Sequence, residues 1–168
     1  MVRYQLGDAA AVEELVQRLS PRLMRFFAAT EPPGEREDLF QDCWIRVHRS
    51  RHTYRAGEPL LPWIFAIARH TRLDAYRRRR RRESRELAVD VLPEVASAVP
   101  EQSGGENFDR LLEKLPEGQR EVIVMLKVTG MSLEDVARAT SSTVGAVKQK
   151  AHRAYSTLRS VLEKEGHA

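Results

Sequence analysis

Five side chains toward the C-terminal end have the types and the spacing to hold nucleic acid: Thr143, Lys148, Gln149, His152 and Arg153, within "TVGAVKQKAHR". Val144, Val147, Ala151, Ala154 and Leu158 recur among them at intervals of three and four. On a helix these make one apolar stripe and leave Lys148, Gln149, His152 and Arg153 off it. Cationic groups placed there can neutralise phosphates, and base edges can be read directly. Gln pairs with adenine and Arg with guanine, each good pair discriminating by about 1 to 3 kcal/mol. Gly145 and Ala146 are small enough to let another backbone come close. A second concentration of charge is "YRRRRRRE", the arginines Arg77 to Arg82. At about 100° per residue they project all round a helix, so they cannot share one groove, and such a run is by itself most often a solvated patch.

Holding the first group in place requires a short helix, a tight turn and a longer helix. "MSLEDVARATSSTVGAVKQKAHRAYSTLR" supplies all three. Ser132 and Asp135 form a capping-box pattern for a helix over about Leu133 to Thr140 with Leu133, Val136 and Ala137 inward, "TSST" turns the chain, and Thr143 caps the next helix. This is a helix-turn-helix pattern whose second helix would enter the major groove; an αα-hairpin with a polar outer face is the alternative that spacing leaves open. Upstream, Leu111, Leu112 and Leu115 precede Pro116, which opens a helix carrying Val122 to Leu126. That run is apolar on most sides and belongs in a core, with Gly130 as the stop.

The arginine run ends a helix that follows a loop. "RHTYRAGEPLLP" holds Gly57, Pro59 and Pro62, and "WIFAIARHTRLDAYRR" then places Ile64, Ile67, Ala68, Thr71 and Ala75 on one stripe with Arg69, Arg72 and Tyr76 away from it. Earlier still, Asp8 caps a helix bearing Val12, Leu15, Val16 and Leu19, and Pro21 begins a second helix or kinks the first. "TEPPGE" breaks the pattern before a helix over about Glu35 to Arg51, where Leu39, Cys43 and Val47 form one row beside Phe40 and Trp44. No period-2 segment stands out, so the expected fold class is all-α, in two small helical domains. Between them, Glu83 to Glu106 carries six acids against Arg85 alone, with Pro93, Pro100 and "SGGE", the composition of a linker.

Charge follows the same division. Residues 46–82 hold twelve basic and two acidic side chains, residues 83–121 hold four and ten, and the flanking blocks are milder, so a net charge of +4 conceals two basic regions separated by an acidic one. Two basic regions suggest two phosphate-facing surfaces. No apolar stretch reaches the roughly 18 residues of a membrane span and no secretory signal pattern opens the chain, which leads to an expectation of cytoplasmic location. The single Cys43 rules out an internal disulfide. His48 and His52 have a metal-compatible spacing, but neither an intervening glutamate nor a matching third ligand accompanies them. No Walker-type glycine loop or nucleophile elbow is present, so no enzymatic activity, cofactor or small-molecule substrate is expected.

The succession "EDLFQDCWIRVHR", loop, "PWIFAIARHTRLDAYRR", acidic linker, "LPEGQREVIVM" and "GMSLEDVARATSSTVGAVKQKAHRAYSTLR" resembles the bacterial extracytoplasmic-function (ECF) sigma factors over nearly the whole chain. The resemblance implies an RNA polymerase specificity subunit of the sigma-70 family. Residues 1–84 would form a region 2 domain, 85–106 a linker and 107–168 a region 4 domain. Asp38, Gln41 and Asp42 fall where such proteins touch core polymerase. The loop from about Arg51 to Pro62 lies where a flipped nontemplate base is captured, with Tyr54 as a stacking surface and Trp63 assigned to the core. Arg69, Arg72, Arg77 and Arg78 would meet phosphates at the minus-ten element, and His70 stands where many members have asparagine. Thr143, Lys148, Gln149, His152 and Arg153 would lie at the minus-thirty-five element. The linker would thread a polymerase channel or, in the free protein, fold back over the arginines. Implied partners are core RNA polymerase, promoter DNA and an anti-sigma factor, often a membrane-bound one. The rival reading, a stand-alone regulator of duplex DNA, leaves "DLFQDCWIRVHR" without a role.

Overall fold

A computed structural model of the protein describes residues 1–86 and 106–165. The described residues form helices and turns with no strand. Of the expected linker 85–106, residues 87–105 lie outside them, and residues 85, 86 and 106 are helical.

The first half begins with a short helix α1 (Val2–Gln5) that the sequence reading did not anticipate. Helix α2 (Ala9–Thr30) starts where Asp8, in extended conformation, accepts a hydrogen bond from the Ala11 N–H at 3.1 Å. It runs uninterrupted through Pro21 rather than beginning again there. Pro21 is exposed, on the side where water can take the carbonyl that loses its partner. Leu15, Leu19, Leu23, Phe26 and Phe27 point inward from α2, and α3 (Arg36–Ser50) adds the predicted row of Leu39, Cys43 and Val47. Helix α4 (Leu60–Glu86) closes this core with Ile64, Phe65 and Ala68. Phe26 stands edge-on to Phe27 at 5.4 Å and to Phe65 at 5.5 Å. Full burial of each such ring is worth about 1.5 to 3 kcal/mol, and the Phe26–Phe65 pair joins α2 to α4.

The second half comprises α5 (Glu106–Glu113), α6 (Glu117–Ile123), a π turn (Val124–Val128), α7 (Leu133–Ala139) and α8 (Val144–Glu165). Val122 to Met125 are all buried, as their all-round apolarity requires, and Gly130 at φ 72° lets the Met131 N–H return to the Met125 carbonyl. Ser132 accepts from the Asp135 N–H at 3.0 Å and caps α7.

The two halves are not separate bodies in this structure. Helix α4 lies against α3 on one side and α7 on another, and α2 lies against α6 and the π turn. Helix α4 is therefore covered along two faces. Spacing places Arg72 off the buried stripe only if one face is covered; with two covered, Arg72 is buried, at 4% exposure.

Candidate nucleic-acid and polymerase interface

The helix-turn-helix pattern forms as two capped helices. Thr143 Oγ1 accepts from the Ala146 N–H at 3.1 Å, which fixes the start of α8. Ser141 takes φ 51° in the turn, and the Ser142 N–H closes on the Ala137 carbonyl at 2.8 Å. Val147, Ala151 and Ala154 are buried, whereas Thr143, Lys148, Gln149, His152 and Arg153 are all exposed. Lys148 with His152 and Gln149 with Arg153 are two i, i+4 rows on the outer side of α8. Lys148 and His152 also line, with Lys127, Arg159, Leu126 and Leu133, a groove of about 580 Å³.

On α3, Asp38 and Gln41 are exposed. Asp42 instead accepts from Arg46 at 3.1 Å, and Arg46 reaches on to Asp74 of α4 at 2.7 Å. The hydrogen bond from Arg46, followed by its charge, holds the Asp74 carboxyl below the usual range despite slight burial. Phe40 and Trp44 are half-buried and edge-on at 6.4 Å, with Ile45 exposed beside them.

The loop between α3 and α4 is tied at several points. Tyr54 donates its hydroxyl to the Glu58 carbonyl at 2.6 Å and sets its ring edge-on to Trp63 at 5.7 Å, and Trp63 Nε1 donates to Thr53 Oγ1 at 3.1 Å. Trp63 is half-buried against the core. His70, Arg77 and Arg78 are exposed on α4. Within the arginine run Arg79 differs from its neighbours: it pairs with Glu35 at 2.7 Å and sits over the Tyr76 ring at 5.7 Å.

Arg69 and Arg72, both expected at phosphates, instead meet carboxylates of the second half. Arg72 donates to Glu117 at 2.7 Å and Glu121 at 2.9 Å, with Glu31, the residue that follows α2, at 3.5 Å, and Arg69 donates to the other oxygen of Glu121 at 3.1 Å. Burial alone would disfavour the Arg72 charge; Glu121, Glu117 and Glu31 together outweigh it and hold the guanidinium above its ordinary range. Burial pushes the Glu31 carboxyl up by more than Arg72 and Arg79 pull it down. Arg72 Nε and Glu31 Oε2 find no hydrogen-bond partner, so the network is incomplete as well as buried. The sequence reading missed its acidic members. A usable signal was present: Arg69 and Arg72 share a helix face at i, i+3, and Glu117 and Glu121 share one at i, i+4.

His48, one of the two histidines with metal spacing, pairs through Nδ1 with the Tyr4 hydroxyl at 2.7 Å. Among the described residues no group of three or more His, Cys, Asp or Glu could hold a metal ion, and no helix is long and apolar enough to cross a membrane.

Comparison with known proteins decides what this surface belongs to. Residues 15–82 match the Sigma-70 region 2 family and residues 105–158 match Sigma-70, region 4. The ECF RNA polymerase sigma factor SigF of Caulobacter vibrioides is 33% identical over 160 residues, covering 94% of this chain and 89% of its own. The chain belongs to the ECF RNA polymerase sigma factors. The sigma factor CarQ of Myxococcus xanthus is 34% identical over 166 residues, covering 96% and 95% of the two chains. Among solved structures, the sigma factor RpoE of Bartonella quintana, crystallised with the anti-sigma factor NepR, superposes with a TM-score of 0.78 at 24% identity over 91% of this chain and 97% of its own, which bears on the fold alone. CnrH in complex with the cytosolic domain of CnrY gives 0.71 at 26% identity over 94% and 91%. As an ECF sigma factor the protein is an initiation factor: it binds core RNA polymerase and directs it to promoters.

Proposed function

We propose that residues 1–84 bind core polymerase and open the minus-ten element, that residues 107–168 hold the minus-thirty-five duplex, and that 85–106 joins them. The observation that carries the second assignment is the exposed side of α8: Lys148, Gln149, His152 and Arg153 stand out from a helix whose start Thr143 fixes. Asp38 and Gln41 supply the polymerase contact, with Asp42 contributing once it exchanges Arg46 for a basic residue of the polymerase. The loop over Arg51–Pro62 receives an extruded nontemplate base, with Tyr54 as its stacking surface and His70 beside it in role. Arg77 and Arg78 meet phosphates from an already exposed position, whereas Arg69 and Arg72 do so only after the seam with Glu117 and Glu121 opens. The packed arrangement is accordingly the resting form of the free protein.

The protein acts in the cytoplasm without catalytic chemistry of its own, and a stress or extracytoplasmic signal releases it from an anti-sigma partner. CnrH, aligned over 94% of this chain, was solved in complex with the cytosolic domain of CnrY, which supports a protein partner. A photo-crosslinking amino acid placed at Gln41 and, separately, at Gln149 tests the assignment in holoenzyme on a promoter. Position 41 is expected to label a polymerase subunit and position 149 the upstream duplex. Labelling of DNA from 41, or of polymerase alone from 149, would reverse it.

A further inference from the structure

We infer that Gln5 is a positioning residue for the loop over Arg51–Pro62, holding it in the shape that receives the extruded base. The inference rests on the reading of that loop given above. It is drawn from helix α1, which precedes the residues 15–82 matched by region 2.

The Gln5 amide Nε2 donates to the Arg51 carbonyl at 2.6 Å and to the Tyr54 carbonyl at 2.8 Å. A primary amide nitrogen carries two hydrogens and both are used, one on the first residue of the turn Arg51–Thr53 and one on Tyr54, which follows it; the amide oxygen could not face two carbonyls, so the orientation is fixed. The two carbonyls bracket the turn from which Tyr54 emerges. The loop is also tied from Thr53 to Trp63 and from Tyr54 to Glu58, while Arg55, Ala56, Gly57 and Glu58 are exposed. The loop thus has an anchored base and an open tip.

Helix α1 is itself well anchored. Tyr4, 5% exposed, belongs to the core and its hydroxyl pairs with His48 at 2.7 Å, and Arg3 pairs with Asp8 at 2.8 Å. Gln5 therefore extends from a fixed platform. Base capture needs this because an extruded nucleotide must meet a surface already in place. Backbone ordering costs about 1 to 2 kcal/mol per residue, and a loop ordered during folding does not incur that cost when the base arrives.

The test uses holoenzyme assembled from core polymerase and the full chain. Its probes are a pool of single-stranded DNA randomised over ten positions and, as an unselective reference, poly(dT). Gln5→Met keeps the length and removes both donors. It is expected to reduce base preference at one position of the selected pool by about tenfold, the loss two hydrogen bonds can produce, with poly(dT) affinity unchanged. Tyr4→Phe, which loses only the His48 bond, is expected to retain the preference and thereby exclude general loosening of α1. If Gln5→Met lowers poly(dT) binding and base preference alike, or if Tyr4→Phe reproduces its effect, Gln5 is ordinary support and the inference fails. If Gln5→Met matches wild type while Tyr54→Ala abolishes the preference, the inference fails and the reading of the loop stands. If neither Gln5→Met nor Tyr54→Ala changes the preference, both fail. Gln5→Glu, which turns a carboxylate toward two carbonyls, gives a second variant; it is expected to lose at least as much preference as Gln5→Met.

Discussion

Replacing Arg72 with methionine removes the centre of the ion-pair network between the two halves. Glu31 and Glu121 have side chains 2% and 6% exposed, and Arg72→Met leaves both carboxylates in place without the guanidinium between them. Taking one partner from a buried ion pair costs about 3 to 5 kcal/mol. The lower end applies, because Arg69 still reaches Glu121 at 3.1 Å and Arg79 lies 4.0 Å from Glu31. Glu117, 47% exposed, adds little. The cost falls on the packed form alone, since opening lets both carboxylates hydrate. About 3 kcal/mol then moves the packed-to-open ratio roughly a hundredfold toward open. Energy transfer between dyes at Gln17→Cys on α2 and Lys150→Cys on α8 reads that ratio, both sites being exposed. The native Cys43 does not compete for label: it is fully buried, and burial pushes its thiol up to about 12. Wild type should show a predominantly high-transfer population; a hundredfold shift should make a low-transfer population comparable to or larger than the high-transfer one in Arg72→Met, with Glu121→Gln between them and the double variant less open than the sum of the singles predicts. Unchanged transfer in Arg72→Met, with both halves still folded by circular dichroism, would show that this network does not hold the seam.

Other consequences are narrower. Thr143→Ala removes the cap of α8 and should lower the stability of the second half by about 1 kcal/mol in thermal or urea melts. Lys148→Ala should weaken promoter binding fairly evenly across sequences and flatten its salt dependence, whereas Gln149→Ala should relax preference at one position; equal, sequence-blind losses would exclude base reading by Gln149. Asp74 titrates below the ordinary 3.8 because Arg46 binds its charged form. Its contribution to stability is therefore present above the unfolded value and lost as pH falls through the lowered folded one. Carbon-13 NMR of the Asp74 carboxyl should show its midpoint rising toward the ordinary value in Arg46→Met.

What could be read along the chain was what local chemistry specifies. Asp8, Ser132 and Thr143 cap the helices their side-chain types predict, and the Leu39–Cys43–Val47 row and the α8 stripe are buried where their spacing requires. Helix α1 was missed because four residues carry too little periodicity to register. Of the two readings that Pro21 left open, a new helix or a continuation, the structure takes the continuation, since a proline on the wet side of a long helix need not end it. The seam was invisible for a different reason. Arg72 and Glu121 are 49 residues apart, and no window-based pattern reports a contact across that distance. Among the described residues the arginine that the fold buries, Arg72, lies outside the run of six.

Run-off transcription with purified core polymerase, with and without the full chain, measures the central claim most directly. A transcript of discrete length that depends on this protein, and that disappears when the exposed α8 side chains Lys148, Gln149 and Arg153 are replaced together, is the predicted result. No specific transcript, or one indifferent to those three substitutions, would contradict the account.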